Sequence, residues 1–107
     1  MTAKVKVQKL SIPLSVVTYR EGEWWIAHCL QLDIAAEGQS ASEALDSVMD
    51  LIDFQVSTAL EVGDIESIFR PAPAEIWKMF WLGQPRPVRR RPSTPIVRFE
   101  ARELALT

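Results

Sequence analysis

Between Leu10 and Thr18 the apolar residues Leu10, Ile12, Leu14 and Val16 fall on alternate positions, which is the period of a strand with one buried face. Pro13 interrupts this run and has no backbone donor, so it must lie at a sheet edge or where its nitrogen faces no neighbour. Arg20-Glu21-Gly22-Glu23 is a polar turn containing glycine, and a second β-rich run from Trp24 to Leu30 follows at hairpin distance. In that run Trp24, Ile26, His28 and Leu30 share one face, while Trp25, Ala27 and Cys29 share the other. Both faces are largely apolar, which calls for a covering layer on each side of the sheet. A third short strand, Ile34 to Glu37, completes a meander before Gly38 releases the chain.

The period then changes from two to 3.6. Ser40 and Glu43 form a Ser-x-x-Glu capping box, which satisfies amide donors that a helix start leaves unpaired. Beyond it Ala41, Leu45, Val48, Met49, Ile52, Val56, Ala59 and Leu60 make one apolar arc, bordered by Ala44 and Leu51. Glu43, Asp46, Asp50, Asp53 and Ser57 occupy the opposite side, with Phe54 among them. Gly63 suits a left-handed helix end. Asp64 to Phe69 has the length of one further helical turn, and Pro71 and Pro73 precede a helical run from Ala74 to Leu82 that is apolar around most of its circumference. Gly83 to Pro95, rich in Pro and Arg, reads as an extended connection. A last strand follows, with Val97, Phe99 and Ala101 alternating against Arg98, Glu100 and Arg102.

The 107 residues suffice for one small domain, and 48% hydrophobic with 24% charged residues is ordinary for a soluble globule. A net charge of -2 argues against general nucleic-acid binding. No segment has membrane-spanning length, and the first residues, MTAKVKVQKL, lack the apolar run of a signal peptide. The single cysteine, Cys29, allows no internal disulfide and no cysteine-based metal site, so a reducing, cytoplasmic location is expected.

The segment from Trp24 to Leu45 resembles the HicB-like antitoxin family: an aromatic and alanine-bearing strand (Trp25, Ile26, Ala27), then Asp33, Gly38, Ser40 and a Glu43-Ala44-Leu45 helix start. The resemblance covers residues 10–62 in detail, and the final strand fits the family order of three strands, helix, strand. It implies a small α+β domain related to a reduced ribonuclease H core. The expected architecture is β-β-β-α-(α)-β, with a four-stranded antiparallel sheet covered on one face by the main helix. Its core would be 10–62 and 94–105, with 63–95 as insert and connection. Some family members append a DNA-binding module; none is expected after Thr94, which favours a stand-alone member. The proline usual after the second strand is replaced by Leu30-Gln31-Leu32.

HicB-like antitoxins neutralise small basic ribonuclease toxins of the HicA type, so the resemblance makes the acidic helix side a dock for such a partner. Glu43, Asp46, Asp50 and Asp53, with Phe54 as an aromatic anchor inside a charged rim, are the candidate contacts. A plain solvated surface explains the same carboxylates. Trp24, Trp25, Trp77, Phe80 and Trp81 form the candidate surface for self-association into a dimer or higher oligomer, since each buried aromatic removes ~150–250 Å² from water; a large internal core is the alternative. Arg86, Arg89, Arg90 and Arg91 could pair with phosphates, but the run lacks interleaved aromatics and reads as a solvated linker. Catalysis is not expected. His28 and Cys29 are adjacent on a strand and face opposite sides, and Asp33, Glu37 and Glu43 are poorly placed to share a metal. No cofactor is implied.

Overall fold

The computed structural model describes residues 11–94 and 97–104. Strands β1 (Ile12–Glu21), β2 (Trp24–Cys29) and β3 (Ile34–Gly38) form the meander, followed by helix α1 (Ala41–Val62), a 3-10 turn (Ile65–Ile68), helix α2 (Ala74–Leu82) and strands β4 (Gln84–Arg86) and β5 (Val97–Glu103). The predicted strand start at Leu10 lies outside the described residues.

The fold is α+β, but the sheet is five-stranded and mixed, in the order β3-β2-β1-β5-β4. This corrects the expected four-stranded antiparallel sheet. β5 pairs with β1 in parallel, Ile12 opposite Val97 and Thr18 opposite Glu103. The reason lies in the return path. Gln84-Pro85-Arg86, expected to be plain connection, pairs antiparallel with the far end of β5. The chain then runs back along α1 to the end of the sheet where β1 begins, so the strand that enters there must run with β1.

The hairpin turn has two residues, with Gly22 at φ 64 as the first. Positive φ at that position matches the right-handed twist of the flanking strands. Pro13 sits where β1 has a neighbour on one side only. The β1–β2 ladder starts at Val16 opposite Cys29, and on that side Ser15 N–H and Gln31 Nε2–H donate to Gln31 Oε1 and Ser15 Oγ in place of a strand.

Ser40 Oγ accepts from Glu43 N–H at 3.1 Å, and Gly63, at φ 71, closes α1 with its own N–H on Leu60 O and that of Asp64 on Ala59 O. This is the double hydrogen bond of a Schellman end. Ala41, Leu45, Val48, Met49, Ile52, Val56 and Ala59 are buried as the period requires; Leu60 is exposed. They meet Ile12, Leu14, Val16, Ala27 and Cys29 from the sheet. Gly38 lies beneath the first turn of α1, where a Cβ would stand 2.6 Å from Ala44 N, so glycine is needed for the close approach.

The other sheet face carries a second cluster, in which Val17 and Leu30 meet Phe80 of α2, flanked by Tyr19, Ile76 and Trp77. Helices therefore cover both faces, where the sequence pattern led to one main helix on one face.

Candidate functional site

The outer surface of α1 has two flanks of opposite character. Toward β4 and β5, residues 84–94 lie along the helix as a strap. Arg86 Nη2 donates to Ser42 Oγ at 2.6 Å and its Nη1 to Glu103 Oε1 at 2.6 Å. One turn further on, Arg90 donates to Asp46 O at 3.2 Å, pairs with Asp50 at 2.5 Å and lies 3.5 Å from Asp53. Ser93 then donates to Asp53 from both N–H (3.1 Å) and Oγ–H (2.9 Å). The carboxylates raise the Arg90 pKa above the ordinary value, the hydrogen bond that Arg90 donates to Asp50 contributing most. Val88 packs partly against the core, and a cavity of about 630 Å³ lies between the strap and Ser42, Leu45, Asp46 and Met49.

The candidate acidic contacts are thus divided. Asp50 and Asp53 are partnered within the chain, Asp53 so fully that its side chain is only 12% exposed. Glu43 and Asp46 are exposed, and among the described residues neither carboxylate has an ion-pair partner. What sequence reasoning missed is that the arginine run and the acidic helix side, read as separate surfaces, meet at Arg90, which holds Asp50 and Asp53. The signal was complementary charge, which becomes legible only once strap and helix are known to run side by side.

Toward β3 the flank is open. Phe54 is 73% exposed, Val62 72% and Leu51 46%. With Ile34, Ala59 and Ile68 they line a groove of about 380 Å³. Phe54, the candidate aromatic anchor, is a surface residue.

The five aromatics proposed for self-association separate. Phe80 is 2% exposed and belongs to the second core cluster, so it offers no surface. Trp25 points to the α1 side, packed against the main core beneath the Arg20 guanidinium, 5.9 Å from its ring. Trp77 is half-buried and donates its indole N–H to Ala72 O at 3.1 Å. Trp24 and Trp81 remain exposed, at 44% and 64%. Arg102 lies over the rings of Phe80 (4.6 Å) and Trp81 (5.3 Å).

On the α2 side of the sheet, His28 Nε2 lies 2.7 Å from Asp33 Oδ1 and its Nδ1 3.5 Å from the Tyr19 hydroxyl. Asp33, at φ 52, turns the chain so that its carboxylate returns to the imidazole five residues earlier. Burial raises the Tyr19 pKa, with Glu21 adding to the effect. Cys29 faces the opposite side, where burial pushes its thiol to about 11 against weaker lowering by the Leu32 and Gln31 amides. It is therefore protonated at neutral pH and out of reach of His28. Among the described residues no group of three or more His, Cys, Asp or Glu could hold a metal ion, and no helix is long and apolar enough to cross a membrane.

Comparison with protein-family models, with curated proteins and with solved structures finds no match.

Proposed function

We propose that this chain is a non-catalytic protein-binding domain of the kind its resemblance to HicB-type antitoxins implies, acting on a small basic ribonuclease partner. The observation that carries the reading is Phe54, a large aromatic left 73% exposed between the apolar groove and a helix surface bearing Glu43, Asp46 and Asp50. An apolar anchor with a charged rim is the usual anatomy of a binding hot spot. Arg90 already sits on Asp50 and Asp53. A basic partner would therefore meet Phe54, Glu43, Asp46 and the exposed part of Asp50, and would compete with the strap for the rest.

The test is co-expression with a small basic ribonuclease of the HicA type. A stoichiometric complex that suppresses the ribonuclease is expected, weakened roughly ten- to a hundredfold by Phe54→Ala, the span of a typical hot-spot truncation. Full suppression by Phe54→Ala would defeat the assignment of the site.

A second reading is a stand-alone homo-oligomer without such a partner. Trp24, Trp81 and Leu82, exposed at 44%, 64% and 63%, favour it. Light scattering at micromolar concentration that returned monomer mass would remove it.

A further inference from the structure

The sheet has two edges, and they are finished differently. β4 is three residues long, contains Pro85 and continues into the arginine strap, the kind of short, proline-bearing edge that discourages pairing. β3 has no such guard: Ile34-Ala35-Ala36-Glu37-Gly38 holds no proline and no lysine, and one charge.

The register identifies the backbone groups that β3 leaves free. Leu30 N–H donates to Ser15 O and Leu104 N–H to Thr18 O, so odd residues of β1 address the β2 side and even ones address β5. Val17 opposite His28 and Tyr19 opposite Ile26 are therefore the hydrogen-bonded pairs of the first ladder. Trp25, Ala27 and Cys29 then turn their groups to β3, where they meet Gly38, Ala36 and Ile34. The N–H and C=O groups of Ala35 and Glu37 point outward, and both residues are exposed.

Beside this edge lies the groove of Ile34, Leu51, Phe54 and Val62, on the α1 side of the sheet. On the opposite side Glu37 is exposed, and among the described residues it has no ion-pair partner; Asp33 stands at the start of the strand. Glu61, Asp64 and Glu66 add further exposed carboxylates near the groove, and it is lined by no cation.

We propose that β3 is a docking edge for an extended peptide segment of a protein partner in which apolar and basic residues alternate. The added strand would exchange hydrogen bonds with Ala35 and Glu37. Its apolar side chains would enter the groove at Phe54, and its basic ones would face Glu37, since successive side chains of a strand point to opposite sides. The proposal rests on the protein-binding reading above and gives it a mode of attachment.

The experiment uses the full chain and a synthetic six-residue peptide of alternating Lys and Val, followed by amide hydrogen exchange and fluorescence anisotropy. Binding that slows exchange at Ala35 and Glu37 above other amides is expected. Ala35→Pro removes one outward donor that no internal ladder uses, so the fold is retained while affinity falls about tenfold or more. Glu37→Lys should weaken the peptide severalfold and reduce its salt dependence. If the peptide protects neither amide, or Ala35→Pro binds it as well as the parent chain, the edge is not the site. Protection that rises with protein concentration in the absence of peptide would overturn the proposal in favour of pairing between two copies. A ribonuclease complex that survives Ala35→Pro but not Phe54→Ala would sink the docking edge and leave the function proposed above standing.

Discussion

The two flanks of α1 contrast sharply although the same helix builds both. Along one, Ser42, the Asp46 backbone, Asp50 and Asp53 meet Arg86, Arg90 and Ser93 of the strap, and the Asp50 and Asp53 charges are offset within the chain. Along the other, Leu51, Phe54 and Val62 stand in solvent beside an unguarded strand. The polar flank is therefore the closed one and the apolar flank the open one, the reverse of what a solubility argument suggests. Burial rather than polarity determines which residues support the fold here. Asp53 is a structural residue because Ser93 and Arg90 enclose it, and Phe54 is available because nothing does.

Breaking the platform that both flanks share should have the largest effect. Ile52→Ala removes a fully buried side chain between them and should cost about 2–5 kcal/mol in denaturant unfolding. An effect below 1 kcal/mol would mean that α1 does not lie on the sheet as described.

The buried thiol beneath that platform offers a pH test. Cys29 titrates near 11 in the fold, against an ordinary value of 9.0 when unfolded. Between those values the unfolded chain has released a proton that the folded chain retains, so stability falls as pH rises from about 9 to 11. The loss is up to about 3 kcal/mol, following the linkage of two pKa units. Subtracting the Cys29→Ala profile from that of the parent isolates this contribution; parallel profiles would refute it.

The closed flank should respond next. Asp53→Ala leaves both Ser93 donors without their acceptor and removes the more distant of the two carboxylates beside Arg90, and should cost about 1–2 kcal/mol. Phe54→Ala on the open flank should change stability by no more than about 0.5 kcal/mol while impairing partner binding. If Phe54→Ala proved the more destabilising of the two, the distinction between the flanks would fail.

Much of the architecture was legible in the chain. The Ser40–Glu43 cap, the buried arc from Ala41 to Ala59, the Gly63 end, the Gly22 turn and the Ala74–Leu82 helix follow from short-range rules, and each is found where those rules put it. The parallel pairing of β5 with β1 was not legible, because strand direction depends on the path the chain takes between strands. Nor was the fate of the aromatics. Phe80 and Trp81 are neighbours with the same hydrophobic character, yet one is enclosed by Val17 and Leu30 while the other is 64% exposed.

The candidate site divides in the same way. That Phe54 falls on the side of the helix opposite the apolar arc is a matter of 100° per residue, but that no other element covers it is decided by the tertiary structure. That Asp50 and Asp53 are already occupied depends on Arg90 and Ser93 respectively, each 40 positions away along the chain, which local rules do not bring near. Sequence by itself determined the three-strand meander, the two helices and most of the faces they present, because these depend on backbone geometry within a few residues, whereas the short strand Gln84–Arg86 exists only through its pairing with β5. Tertiary structure alone decided which charges neutralise one another and which sheet edge stays open, because both depend on the proximity of distant segments.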